Sequence, residues 1–187
     1  ALLMLAVMSC LLFSGCGGQS EQKKFVITYL PNESTDKNAD ARKGMAGDLS
    51  KVLGMEVTEL VSNDYNAVIE AMRTGKADMA YFGPLSFCLA YERAGAEPIG
   101  MIAKDKDKKN ATYKSVLVTS SKNTDINSIQ DIKGKTMAFV DPNSTSGNLI
   151  PSAAIMKAFP GEKLSMDDLH TNGKFFQAVS FSGKHQA

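Results

Sequence analysis

The sequence predicts an α/β fold with parallel strands, and three observations predict it. Short β-branched or aromatic runs alternate with helical stretches from residue 25 to residue 181. Gly or Pro punctuates most junctions between them. The composition, 43% hydrophobic and 22% charged, suits one domain or two small lobes with buried cores. Strands that alternate with helices favour βαβ units, because parallel neighbours need a crossover. The 21 basic residues nearly cancel the 20 acidic ones, leaving a net charge of +1. That balance excludes a charge-rich disordered chain and gives no bulk field for nucleic acid, so no nucleic-acid partner is expected. Three Cys and two His argue against a disulfide scaffold and a His-rich metal site, and neither metal nor cofactor is expected.

In chain order, residues 2–13 (LLMLAVMSCLLF) come first, with eleven of 12 apolar. A membrane-spanning helix needs about 20 such residues, so the run has the length of a signal-peptide core instead. Phe13-Ser14-Gly15-Cys16 then resembles a bacterial lipobox, with Phe13 where Leu is usual. It implies lipidation of Cys16; a secretory signal cut elsewhere would leave Cys16 a plain thiol. The expected division is a signal peptide over 1–15 and a polar tether over 16–24. With no Met and no basic stretch ahead of residue 2, the chain is expected to lack its true start.

Residues 25–30 (FVITYL) predict a strand, 40–53 a helix ended by Gly54, and 55–61 a second strand. Asp64 can cap a helix whose apolar face is Tyr65, Val68, Ile69 and Met72. A short strand at 79–82 and a helix at 84–93 with Pro84 in its first turn follow. Cys88 lies among Leu85, Phe87 and Leu89 and is expected to be a buried, inert thiol. Residues 99–103 predict a strand, 104–109 (KDKDKK) a solvated loop, and 115–120 (SVLVTS) another strand. A short helix at 128–132, a strand at 136–140, a helix over about 148–159 and a last strand at 175–181 complete the pattern.

The segment Asp141-Pro142-Asn143-Ser144-Thr145-Ser146-Gly147 carries the chemistry. It lies between a strand and a helix, where ligands of open α/β sheets bind. Helix-start amides lack internal partners and carry partial positive charge. Consecutive hydroxyls beside them form a neutral, donor-rich cup suited to a tetrahedral oxyanion. A Ser/Thr-rich helix cap with no ligand is the competing reading. Pro151 places the helix start near residues 146–148. No GxxxxGK[ST] is present, which disfavours a nucleoside triphosphate.

With its sequel NLIP, this loop resembles the STSG loop of the phosphate/phosphite/phosphonate ABC-transporter substrate-binding proteins. Asp64-Tyr65 with residues 67–87 (AVIEAMRTGKADMAYFGPLSF), residues 129–135 (IQDIKGK), and residues 181–185 (FSGKH) resemble further motifs of that family in the same order. The resemblance implies a type II periplasmic-binding fold, two α/β lobes clamping ligand between them. The first lobe would be 25–114 and a partial second lobe 115–187, with a hinge strand over 113–118. It implies that Tyr65, Ser144, Thr145, Ser146 and His185 contact the ligand. Tyr81 and Phe82 would form an aromatic wall, with the cleft-facing one of the two left open. Without the resemblance, Tyr65 could be a core tyrosine and His185 a solvated one; His170 has no motif and is expected at the surface. Family members continue past the histidine motif, so the second lobe is expected to be incomplete and the 187-residue chain to bind weakly.

The expected function is a lipid-anchored receptor on the outer face of the bacterial cell membrane or in the periplasm. It would capture phosphonate, phosphite or phosphate and present it to an ABC-transporter permease, and it would not be an enzyme. The alternatives are a phosphoesterase with Ser146 as nucleophile and His185 as base, a sensory input domain, and a receptor for a sulfonate or pyrimidine precursor. The first lacks a third residue to orient the base.

Overall fold

The computed structural model describes residues 23–31, 36–103 and 105–185. The signal segment, Cys16 and nearly all of the tether lie outside the described residues. Two parallel sheets form the frame. In the first, β1 (Phe25–Tyr29) lies between β2 (Val57–Val61) and β3 (Met79–Tyr81). In the second, β4 (Thr136–Phe139) pairs with β5 (Ala178–Phe181). The parallel pairing expected from strand–helix alternation is therefore present.

Between β1 and β2 runs α1 (Ala39–Leu53), ended by Gly54 at φ 65, a left-handed conformation that glycine adopts without penalty. It buries no residue fully. An Arg42–Glu59 ion pair of 2.6 Å and the stacking of Arg42 over Tyr29 tie it to the sheet. Next, α2 (Tyr65–Arg73) begins where Asp64 accepts the Ala67 N–H at 2.7 Å. It buries Tyr65, Val68, Ile69 and Ala71, a face that packs on the sheet and on α3 (Pro84–Ala94). Because side chains alternate along a strand, Leu30, Ala80 and Phe82 meet Tyr65 and Val68 on one sheet face. Val140 joins this cluster and couples the first core to the end of β4.

The second core contains Phe139, Ile155, Leu169, Phe175 and Phe176, supplied by β4, α4 (Ile150–Ala158), α5 (Met166–His170) and the approach to β5. The last strand starts at Ala178, not at residue 175. Phe175 and Phe176, both buried, sit ahead of it in a turn closed by Gly173 N–H on Phe176 O at 2.9 Å. The helix α5 lies outside the elements that the sequence pattern predicts. Its signal was Ser165-Met166-Asp167-Asp168, a capping box in which Ser165 and Asp168 bond each other's backbone N–H.

The strands expected at 99–103 and 115–120 are not formed. Both segments lack a ladder among the described residues, and a strand exists only through a partner for its N–H and C=O groups. Their apolar side chains stand in solvent, with Ile99 84% and Val118 87% exposed. Cys88 is exposed, not buried. Ser86 and Ala90, four apart, take the inward face of α3, and Cys88 between them points the other way.

The Asp64 cap gives a stability test. Asp64→Ala should lower unfolding free energy by about 0.5–2 kcal/mol in urea titration, and Asp64→Asn by clearly less.

Candidate functional site

Physical chemistry shapes the hydroxyl loop in three steps. First, the Asp141 carboxylate accepts the Asn143 N–H at 2.8 Å and the Asp141 carbonyl accepts the Ser144 N–H at 2.9 Å, which turns the chain out of β4. Second, Ser144 Oγ accepts the Gly147 N–H at 3.1 Å and caps the turn that follows. Third, that turn, Thr145–Leu149, is π-helical, with the Leu149 N–H on Ser144 O and the Ile150 N–H on Thr145 O. Helical backbone thus starts at Thr145, earlier than the expected 146–148, and widens to reach Pro151 in the first turn of α4. Pro151 has no N–H to give to the carbonyl four residues back. That carbonyl, Gly147 O, takes the Val140 N–H at 3.0 Å instead, and Ser146 O takes the Ser115 hydroxyl at 2.7 Å. The loop is folded so tightly on itself that a Cβ on Gly147 would lie 2.3 Å from Val140 Cγ2.

The three hydroxyls end in different situations. Ser144 is buried, its oxygen committed to the cap. Thr145 Oγ1 accepts the Leu85 N–H at 2.8 Å, in the first turn of α3. Ser146 is half-buried, and its hydroxyl has no hydrogen-bond partner among the described residues. The loop therefore caps the N-terminus of α3, which belongs with the first sheet. Tyr113, which no motif singled out, brings its hydroxyl to the same place. A Cβ on Gly83 would lie 3.5 Å from Thr145 Oγ1 and 3.8 Å from Tyr113 Oη.

The remaining candidates are spread around this junction. Tyr65 is buried with Leu30 and Val68, as in the core reading, but its backbone N–H donates to the Asp141 carboxylate and so touches the loop. Phe82 packs against Leu30, Tyr65 and Val68 and also against Ile69, Ala90 and Ala96, between α2 and α3. Tyr81 is half-buried on the other sheet face, in register with Tyr29. His185 is exposed, just beyond a turn fixed to the loop's entry by the Gly183 N–H on Val140 O at 2.7 Å.

The expectation for His170 is overturned. It is half-buried, bonded through Nε2 to Asn148 Oδ1 at 2.7 Å, and packed edge-on against Phe139 and Phe181. Its position at the end of α5, an element the sequence reading lacked, turns it inward. Burial holds its pKa below the ordinary value.

Electrostatics separates the two helix starts. At α2 the amides face two carboxylates, Asp64 and Asp141. Burial pushes the Asp141 pKa up, and Asp64 adds to this, against the N–H groups of Asn143 and Tyr65. An anion is thus disfavoured at α2. At α3 the neighbours are neutral hydroxyls, those of Ser86, Thr145 and Tyr113. Cavity shape does not single out this junction: an open hollow of about 410 Å³ lies beside β2 and Asp64 instead. Among the described residues no group of three His, Cys, Asp or Glu side chains could hold a metal ion.

Comparison with known proteins adds three findings. A family model described as the periplasmic substrate-binding protein of a phosphonate ABC transporter matches residues 27–187. The chain is 31% identical over 162 residues to a phosphate-import protein of Mycolicibacterium smegmatis, covering 81% of this chain and 50% of that protein. It superposes with TM-score 0.67 on the binding component of an ABC phosphonate transporter from Pseudomonas aeruginosa, at 26% identity, over 87% of this chain and 51% of that one. A Prochlorococcus marinus protein solved with methylphosphonate shares the fold, with TM-score 0.56, 22% identity and coverage of 87% and 57%. The chain thus spans about half the length of these relatives.

Asp141 supplies a pH test. A carboxyl whose folded pKa is raised contributes stability that is fully present below its ordinary value of 3.8 and lost as pH rises through the folded value. Asp141→Asn abolishes that dependence. Denaturant titrations at pH 3 and pH 7 should show the variant gaining on the parent as pH rises; a constant difference contradicts the assignment.

Proposed function

The chain belongs to the family of periplasmic substrate-binding proteins of phosphonate ABC transporters, and from that premise we propose that it captures a small tetrahedral phosphorus oxyanion for import. The carrying observation is the meeting of the Thr145 and Tyr113 hydroxyls at the start of α3, with the half-buried Ser146 hydroxyl next in the chain. Such an anion needs several converging donors and no reacting group. Hydroxyls and helix-start amides supply them without a full positive charge.

Binding proceeds by exchange. The Leu85 N–H that Thr145 Oγ1 now accepts is released to the anion, and the Thr145 hydroxyl donates to it as well. Ser146 donates alongside. Ser144 keeps its cap and adds its own O–H proton, while His185 closes over the ligand from the turn after β5. Tyr65 holds the loop through Asp141, and Tyr81 and Phe82 set the wall of the first lobe. In this reading 25–114 and 115–187 are the facing lobes, and closure is a population shift driven by these contacts. A permease would then receive the closed form.

The family consists of binding proteins, not enzymes. The lipid anchor at Cys16, and with it residence at the outer face of the cell membrane or in the periplasm, belongs to the proposal and is supported by the lipobox-like Phe13-Ser14-Gly15-Cys16.

A hydrogen bond to a charged acceptor contributes about 1.5–3 kcal/mol, or roughly 10- to 150-fold in affinity. Calorimetry on the product of the complete reading frame should detect binding of methylphosphonate, phosphite or phosphate. Ser146→Ala should weaken it by that factor. No binding of any of the three, or an unchanged affinity in the variant, overturns the proposal.

A further inference from the structure

We propose that His170 is a positioning residue that sets the shape of the hydroxyl loop through Asn148. The inference rests on the binding role proposed for that loop.

Asn148 lies inside the π-helical turn, 1% exposed, and its amide spans the loop. Its Nδ2 donates to the Pro142 carbonyl at 2.9 Å, closing residues 142–148 on themselves. With the nitrogen so engaged, Oδ1 must accept. It takes His170 Nε2 at 2.7 Å and, more distantly, Ser152 Oγ at 3.4 Å. His170 therefore carries its proton on Nε2. A neutral imidazole fits this bond, and burial favours that form.

The ring is itself fixed. Phe139 meets it edge-on with centroids 5.1 Å apart, and Phe181 at 5.2 Å. These residues end β4 and β5, and from them the chain runs into the hydroxyl loop and into the turn that leads to His185. One side chain thus registers both segments that carry candidate ligand contacts. Without its N–H, Asn148 Oδ1 keeps only the long bond to Ser152, in a site that water does not reach. The amide is then free to rotate and to release Pro142 O. A structural histidine would serve as well with any ring of similar size; a positioning histidine requires the donor.

The test uses the product of the complete reading frame with His170→Phe, which keeps a ring and loses the donor, and His170→Gln, which keeps a donor. With methylphosphonate as probe, calorimetry should show at least a tenfold loss of affinity for His170→Phe and less than a threefold loss for His170→Gln. In the unliganded proteins, hydrogen exchange over residues 141–149 should rise in His170→Phe and not in His170→Gln. In the parent, nitrogen NMR of the imidazole should show the Nε2–H tautomer. Failure of the parent to bind methylphosphonate removes the functional premise, while exchange and tautomer still decide the positioning role. Unchanged exchange in His170→Phe, or an Nδ1–H tautomer in the parent, overturns it, and the tautomer reading stands even if the variants do not fold.

Discussion

Pro151 has no backbone N–H, and the geometry of the site follows from that one missing donor. Gly147 O, which a regular helix would satisfy from residue 151, is left for the Val140 N–H at the end of β4. Ser146 O is likewise left for the hydroxyl of Ser115. The first turn widens into a π-helical one, and the loop folds back on the strand that precedes it. Only glycine fits at 147, because a Cβ there would overlap Val140. Three consecutive hydroxyls are thus presented by a braced backbone, from which Ser144 caps the turn and Thr145 reaches the start of α3. A donor set for a tetrahedral anion must be in place before the ligand arrives, or ordering it consumes binding energy.

The same loop also determines which helix start is available. Asp141 turns the chain out of β4 and accepts the Tyr65 N–H, while Asp64 caps α2 on the other side. Two carboxylates therefore claim one helix N-terminus. The other, at α3, is left with Thr145, whose hydroxyl can exchange partners. In the proposed function, oxyanion recognition would depend as much on where negative charge has been placed as on where the donors are.

Much of this was legible in the sequence. The alternation of strand and helix gave parallel sheets, Asp64 was readable as a cap, and the Ser144–Ser146 run marked the loop. Tertiary effects explain what was not. Residues 99–103 and 115–120 have strand composition, but a ladder needs a neighbour that no local pattern supplies. The apolar neighbours of Cys88 in sequence suggest burial, but the 3.6-residue period of α3 turns it outward. His170 carried no motif, and its inward position depends on a five-residue helix whose only signal was the Ser165–Asp168 capping box. Tyr113 reached the site from a segment read only as a hinge. Candidate residues on the loop were found from chemistry, whereas those that brace it came from packing.

The most direct measurement is a crystal structure of the product of the complete reading frame soaked with methylphosphonate. The account predicts phosphonate oxygens within about 2.5–3.0 Å of the Ser146 and Thr145 hydroxyls, typical of O–H···O bonds, with the Leu85 N–H turned to the ligand. A phosphonate seated beside Asp64 and β2, with Thr145 still bonded to Leu85, would contradict it.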